Sequence, residues 1–513
     1  MKRIISILLL TTLLLCGCTG EAGIYVPTGN GLVQDETTQP TTQPAPPQPQ
    51  SVTLGYYPEK SLNPYEATEI SHKLIFSLVY QGLFTIDRDY NVSPILCKNF
   101  SVSKDMRTYV FYPAEATFFD GTALTAADIA ASLEAARAGT VYSGRLRQIS
   151  TVSVTEDGGV QVVLRTPYEN LPLLLDVPIV KAAETGAERP MGTGPYGYDT
   201  GLNGLQLKRC GNWWCRANLA VTAPIVSLLE VDSPATMRDD FEYGNISIVC
   251  ADPGSDTYVD YRCDYELWDV ESGVFLFLAC NKRSQVFSNK ALRVALTHAI
   301  DRDALVMEYY RGFAQSAYMP ASPDSPRYDP NAEEKAGYDP ELFTQALADA
   351  ALENMAITLL VNKADSRRVK VARSIGKMLE GYGFTVTISA LSGNSYTNAL
   401  KNNKFDLHLG QTKLSANMDL TEFFRPYGEM SRGGLQHETI YSMCLNALEN
   451  NGNYYNLYQK LVQDGRVIPV MFGHYNVYAE RGLMPELEPS RDNVFYYSLG
   501  KTMEGTLIEE TYE

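Results

Sequence analysis

The stretch Gly273-Val274-Phe275-Leu276-Phe277-Leu278-Ala279 constrains the fold more than any other part of the chain. It is a continuous apolar run of strand length with no polar alternation, the pattern of a strand buried on both faces. Helical patterns follow it, one from about Asn289 to Ala299 and one capped by Asp301 and running to about Tyr310. Strands and helices then alternate at 357–361, 366–380, 384–389 and 395–401. The same mixture precedes the run. Val52–Tyr56 reads as an opening strand, and Ile70, Leu74, Leu78 and Val79 followed by Gly82 as a helix with a glycine stop. Thr108–Tyr112 is a β-rich run, and Thr125-Ala126-Ala127-Asp128 opens an Ala-rich helix to about Arg137 with a capping-box pattern. Val152–Thr155 and Val160–Leu164, joined by Asp157-Gly158-Gly159, form a hairpin. The fold class is α/β, with no internal repeat.

A length of 513 residues predicts about three domains of roughly 150 residues each. Hydrophobic residues at 45% and charged residues at 20% exclude a chain disordered throughout and a polytopic membrane protein. Lys and Arg total 43 against 60 Asp and Glu, a formal net charge of −17. So acidic a body has no electrostatic footprint for phosphate backbones, which argues against nucleic acid as a partner. It would also be repelled by an anionic membrane surface, so membrane attachment must come from a covalent anchor or another protein.

The N-terminus supplies such an anchor. Lys2-Arg3 form a short positive region and Ile4–Leu15 an apolar stretch too short for a comfortable transmembrane span. Leu15-Cys16-Gly17-Cys18 resembles a bacterial lipobox, with Leu at −3, a small residue before the cut and Cys18 as the lipidated new N-terminus. An uncleaved anchor, or a secretory signal with incidental cysteines, is the alternative. Residues 1–17 are thus read as the signal peptide and 18–50 as a lipidated cysteine with its tether. The run from Thr37 to Gln50 is rich in Pro, Thr and Gln, should populate polyproline II, and reads as a spacer.

Seven cysteines follow Cys18, an odd number that leaves at least one thiol free or paired elsewhere. Cys210 and Cys215 could close a small loop, but they lack metal-knuckle spacing. Mostly buried, reduced cysteines are expected, with a Cys210–Cys215 disulfide left open.

Four motifs in order carry a family resemblance. Gln81-Gly82-Leu83-Phe84-Thr85-Ile86-Asp87 with Pro94-Ile95-Leu96 comes first. Thr117–Ile129 then carries Phe-Asp-Gly-x-x-Leu-Thr-Ala-x-Asp. Gly192-Thr193-Gly194-Pro195-Tyr196 and Leu292–Arg302, ending in Ala-Ile-Asp-Arg, complete the set. Together they resemble the family 5 extracellular solute-binding proteins, the peptide, nickel and oligosaccharide receptors of ABC importers. The resemblance runs from about Ser51 to the C-terminus. At residue level each motif also has a plain structural use: a tight turn at Asp120-Gly121, a helix cap at Thr125, and glycines free to take positive φ at 192–194. Arg293 and Asp301 read as helix-end charges or an internal ion pair rather than ligand contacts.

The resemblance implies a two-lobed fold of the periplasmic-binding-protein kind, type II, large peptide-receptor class, with an extra subdomain inserted in lobe I. By the same resemblance lobe I is 51–86, 187–271 and 469–513, the inserted subdomain is 87–186, and lobe II is 272–468. It further implies hinge closure over a solute, delivery to permease subunits, a monomer held in the cell envelope, no cofactor, no resident metal and no chemistry on the ligand. Ligand contacts are expected at Tyr57, Glu59, Thr68, Glu69, Trp213, Trp214, Thr412, Lys413, Asn417, Asp419 and Arg425. The adjacent Trp213 and Trp214 either stack on a ligand or pack at the lobe surface.

One departure from the family pattern bears on specificity. Peptide receptors carry a motif resembling Trp-x-x-Asp-x-x-Asp/Glu-Pro whose first acid holds a peptide α-ammonium. Aligned on Asp419 and Phe423, Lys413 stands at the Trp position and Ala416 at the acid, with Asn417 as the alternative under a one-residue slip. Neither Ala nor Asn is an acid, which weakens the case for ordinary peptides. It raises an anionic ligand, attracted by Lys413 and helped by Arg425, as a rival; the bland alternative is a lysine that snorkels to solvent. No nucleophile elbow, zinc-protease motif or phosphate loop points to an enzyme. The five histidines, His72, His298, His408, His437 and His474, are scattered. A sensor or envelope scaffold of the same fold is the remaining competitor.

Overall fold

The computed structural model describes residues 51–215 and 217–500 with their side chains, and the backbone of 506–508. The leader, Cys18 and the tether lie outside the described residues. Within them, the apolar run forms the second half of a fifteen-residue strand, Glu266–Cys280, whose last six residues are all buried. That strand pairs antiparallel with Leu407–Lys413 on one side and Val467–Ala479 on the other, which explains the missing alternation.

These strands belong to an eleven-stranded sheet. On one side of the long pair stand Leu407–Lys413, Ala356–Asn362 and Thr385–Leu391, the last two parallel to one another. On the other side come Ile248–Ala251, Val52–Tyr56, Ile225–Glu230, Gly204–Arg209 and Tyr196–Gly201. Ala314–Ser316 pairs separately with Val467–Ala479. The two long strands therefore connect both groups. A register shift between Glu271 and Val274 breaks their ladder midway, and Gly273 there takes φ +77°. A Cβ on Gly273 would run into the Arg491 guanidinium and lie 2.9 Å from the Leu414 carbonyl, so the bulge needs glycine twice over.

A separate sheet contains Cys97–Ser103, Thr108–Pro113, Val160–Leu164 and Ile149–Val154, with Thr506–Ile508 added parallel to its edge. Helix Ala126–Ala138 covers it, and the capping box is complete: Thr125 Oγ1 accepts from the Asp128 amide, and Asp128 accepts from the Thr125 amide. One large core runs from Leu54 and Leu74 through Phe111, Ile129 and Leu133 to Val226 and Val477. Another surrounds Leu276, Leu278, Val361, Val371 and Ile375. A third gathers Phe275, Phe277, Phe423, Phe472, Tyr454 and Tyr458 and takes in Ile86, Tyr90 and Leu173 from the first half of the chain.

Gly192 and Gly194 serve a different purpose from the expected one, for neither has a positive φ. Their backbone passes over the end of helix His72–Val79, where a Cβ would lie 2.1 Å from the Val79 carbonyl and 2.4 Å from that of Leu78. Gly194 donates its amide to the Val79 carbonyl at 2.9 Å, satisfying a helix-end acceptor. Arg293 is buried, donating to the Phe287 carbonyl at 2.8 Å and the Ser288 carbonyl at 3.1 Å, and Asp301 caps helix Arg302–Tyr310. No disulfide forms among the described residues: Cys210 and Cys215 are free thiols, and five of the seven cysteines are buried. No described helix is long and apolar enough to cross a membrane.

Candidate functional site

Where the opening segment, the loop between helix Ala126–Ala138 and strand Ile149–Val154, the long strands and the C-terminal segment meet, they enclose a cleft of about 980 Å³. That is at the upper end of the range for small-molecule sites. Helix His72–Val79 turns Lys73, Phe76 and Ser77 toward it, and Tyr80 follows at the helix end. These positions, i, i+3, i+4 and i+7, share one face. Cys250, Tyr258 and Tyr261 line another part, and Thr412, Lys413, Leu414, Asp419 and Glu422 line the side beyond strand Leu407–Lys413.

The aromatic part is stiff. Tyr258 and Tyr478 share a hydroxyl hydrogen bond of 2.6 Å, and Tyr261 packs on Tyr478 with ring centroids 4.3 Å apart. The Tyr57 amide donates to His72 Nε2 at 3.3 Å, so His72 carries its proton on Nδ1, which donates to the Ser61 carbonyl at 3.1 Å. Burial lowers the His72 pKa, consistent with that neutral tautomer.

The ionic part has two centres. Arg147 donates through Nη2 to Asp419 at 2.7 Å and to Thr421 Oγ1 at 3.3 Å, with its Nε 3.4 Å from Glu422. Glu422 also accepts from Arg425 Nε at 2.6 Å and from the Glu429 amide at 2.9 Å. Burial alone would push the Glu422 carboxyl up, but these donors and the Arg147 charge hold it below its usual value. The second centre is Asp492, which accepts from Lys413 Nζ at 2.7 Å and Arg145 Nη2 at 2.9 Å. Arg145 also pairs with Asp176. Against the cost of burial, Lys413, Arg145, Arg491 and Lys73 together hold the Asp492 carboxyl well below the carboxylate range.

Of the expected ligand contacts, Tyr57, Thr68, Glu69, Thr412, Lys413 and Asp419 line this cleft. Glu59, Trp213, Trp214, Asn417 and Arg425 do not. Glu59 sits in an exposed turn. Trp213 and Trp214 stand one layer behind the wall: both indole N–H groups donate to the Thr193 carbonyl, at 2.9 and 3.1 Å, and Trp213 packs edge-on against the cleft residue Tyr497. Asn417 is buried, its carbonyl accepting from Tyr454 and its side chain from Ser415. Arg425 is held by Glu422, and Ala416 is buried in the third core. None of the five histidines lines the cleft, and no group of three metal-ligating side chains occurs among the described residues. Sequence reasoning missed Lys73, Arg145, Arg147 and Asp492. Only for Lys73 was there a local signal, the helical face it shares with Phe76, Ser77 and Tyr80.

Two strand groups joined by two long strands, with a charged and aromatic cleft at the junction, define a two-lobed binding protein of the type II periplasmic class. Residues 91–433 match the profile of the bacterial extracellular solute-binding proteins, family 5 middle, and the chain belongs to that family. Its members are binding proteins rather than enzymes. The glutathione-binding protein of Pectobacterium atrosepticum is 28% identical over 353 residues, covering 64% of this chain and 67% of the relative. Among solved structures, the ABC transporter substrate-binding protein CtaP of Listeria monocytogenes superposes with a TM-score of 0.70 at 16% identity, over 87% of this chain and 97% of that one. NikA of Brucella suis, solved with Fe(III)-EDTA, gives 0.67 at 18% identity, over 86% and 98%. At such identities the structures speak to fold alone.

Proposed function

We propose that the protein is the substrate-binding lipoprotein of an ABC importer. It captures a small solute, an oligopeptide or related compound, by closure between two lobes and hands it to permease subunits. The observation that carries this reading is the cleft itself, built from segments far apart in sequence. Lys413 meets Asp492 across it, and Arg147 meets Asp419. Lobe I is taken as 51–86, 187–271 and 469–513, with 87–186 inserted and 272–468 as lobe II; the two long strands that join both strand groups support a hinge at that point. The protein acts as a monomer, anchored through Cys18 at the outer face of the bacterial cytoplasmic membrane or in the periplasm, with 18–50 as its tether.

Two experiments test this. A ligand should compact the protein in small-angle scattering and raise its melting temperature in proportion to the logarithm of excess ligand. No response to peptides, sugars and metal chelates would favour a non-transporting sensor or scaffold. Metabolic labelling with a fatty-acid analogue should mark the wild type and not Cys18→Ser, and equal labelling would rule the anchor out.

A second reading, an anionic ligand in place of an ordinary peptide, is favoured by one observation. The aligned position of the ammonium-binding acid is Ala416, which is buried, while Lys413 lines the cleft.

A further inference from the structure

Among the described residues, Lys73 is the cleft-lining cation that forms no salt bridge. Its Nζ donates to the Arg491 carbonyl at 3.0 Å and lies 4.2 Å from the centroid of the Tyr475 ring. No carboxylate lies within 4.0 Å of it among the described residues, although Arg145, Arg147, Lys413 and Arg491 each have one. An ammonium has three donors, so the carbonyl and the ring leave at least one for the cleft. Four cations gather here, Lys73, Arg145, Lys413 and Arg491, facing Asp176, Asp492 and Glu271. Positive charge exceeds negative by one. That excess is local to this cluster: among the other acids lining the cleft, Asp419 and Glu422 are held by Arg147 and Glu69 faces Lys60 at 3.5 Å, while Asp252 and Glu429 are not among the chief groups acting on Lys73.

We propose that Lys73 anchors a carboxylate of the ligand, so that the solute this cleft takes is one bearing a free carboxylate. The inference rests on the reading of the cleft as a solute-binding site and names the chemical class that the site selects. The charged and titratable groups packed on Lys73 leave its ammonium under-compensated, with Tyr475 presenting only its ring face. Burial pushes the Lys73 ammonium down to about 8, Lys413 and Arg491 push the same way, and Asp492 and the Cys250 thiol oppose them only in part. A ligand carboxylate would reverse that shift, so binding above pH 8 should take up a proton.

The test uses the full chain and two pairs of probes that separate peptide from sugar-acid sources: trialanine against its C-terminal amide, and digalacturonate against lactose. One carboxylate probe should bind at least tenfold tighter than its neutral partner. Lys73→Met should weaken that probe by roughly 10–100-fold, the range of a hydrogen bond to a charged group, and Lys73→Arg should restore most of it. Titrations at pH 9 in two buffers of different ionisation enthalpy should show proton uptake by the wild type and none by Lys73→Met. Equal binding of charged and neutral partners, or Lys73→Met binding like the wild type without losing proton uptake, overturns the inference while the solute-binding reading stands. Binding of no probe, charged or neutral, overturns both.

Discussion

Two cations set against strand Val467–Ala479, the buried Arg302 and the half-buried Lys73, are held in opposite ways. Arg302, at the end of the Ala-Ile-Asp-Arg motif, is 1% exposed and forms no salt bridge among the described residues, yet each of its three guanidinium nitrogens has an acceptor. Its Nε donates to the Ala317 and Pro469 carbonyls at 2.9 Å, its Nη1 to those of Thr297, Ile300 and Ala336, and its Nη2 to Thr297 Oγ1 at 2.7 Å. Lys73 has one carbonyl and the face of one ring. Burial lowers both, Arg302 to about 10 and Lys73 to about 8. The two shifts have one cause, and the partner list tells them apart. Arg302 is a clamp that ties a helix start to strand Val467–Ala479; Lys73 keeps donor capacity aimed into a cleft.

The comparison breaks first at Arg302. Arg302→Met strands several buried carbonyls at once, and should cost on the order of 3–5 kcal/mol, read as a lower denaturation midpoint. A loss below about 1 kcal/mol would mean that the carbonyls find water and that the clamp is no clamp.

Lys73→Met should do the opposite. Below pH 8 the wild type carries the full cost of a lysine whose pKa is lower folded, about 8, than unfolded, 10.5. The unfolded chain binds more protons between those values, so wild-type stability should rise with pH across that window. The substituted protein should lack the slope, and near pH 7 it should be more stable by about 1–3 kcal/mol after allowance for solvent contact. A flat wild-type profile from pH 8 to 10.5 would place Lys73 with Arg302 as an ordinary structural cation.

Arg147 lies between these two. It is 28% exposed, but the Asp419 it holds is only 5% exposed. Arg147→Ala should cost about 1–2 kcal/mol, because the Thr421 amide still serves Asp419 and Arg425 still serves Glu422. A double-mutant cycle with Asp419→Asn isolates the pair.

Most of the fold was readable because it is written in local periods. The capping box at Thr125 and Asp128, the hairpin about Asp157-Gly158-Gly159 and the buried run from Phe275 to Ala279 each depend on neighbours in sequence. The site depends on neighbours in space. Lys73 reads locally as a polar residue on a short apolar helix; only the Arg491 carbonyl, 418 positions away, and Tyr475 give it a setting. The tryptophan pair shows the same limit from the other side, since a Trp-Trp dipeptide does not disclose whether its indoles face a groove or the Thr193 carbonyl. Glycines 192 and 194 were legible as special but not as to why, because a close approach, unlike a turn, involves a second segment.

The smallest effect belongs to Lys413, the residue that sequence alignment singled out. Its side chain is 44% exposed and already donates to Asp492, so Lys413→Met should change stability by no more than about 1 kcal/mol. Its effect on ligand should also fall short of the roughly 1–3 kcal/mol that a free ammonium in the cleft would supply. Removing Lys413 takes away a positive charge, but it also removes the chief like-charge neighbour of Lys73 and releases Asp492 to face it. Both changes favour the charged form of Lys73, the one that receives a carboxylate. The two lysines are therefore coupled: Lys413→Met alone should weaken a carboxylate probe by about threefold, and the same change should cost more once Lys73 is methionine, because the compensating gain in charged Lys73 is then lost. A Lys413→Met loss as large as that of Lys73→Met would move the anchor to the strand end and make Lys73 its support.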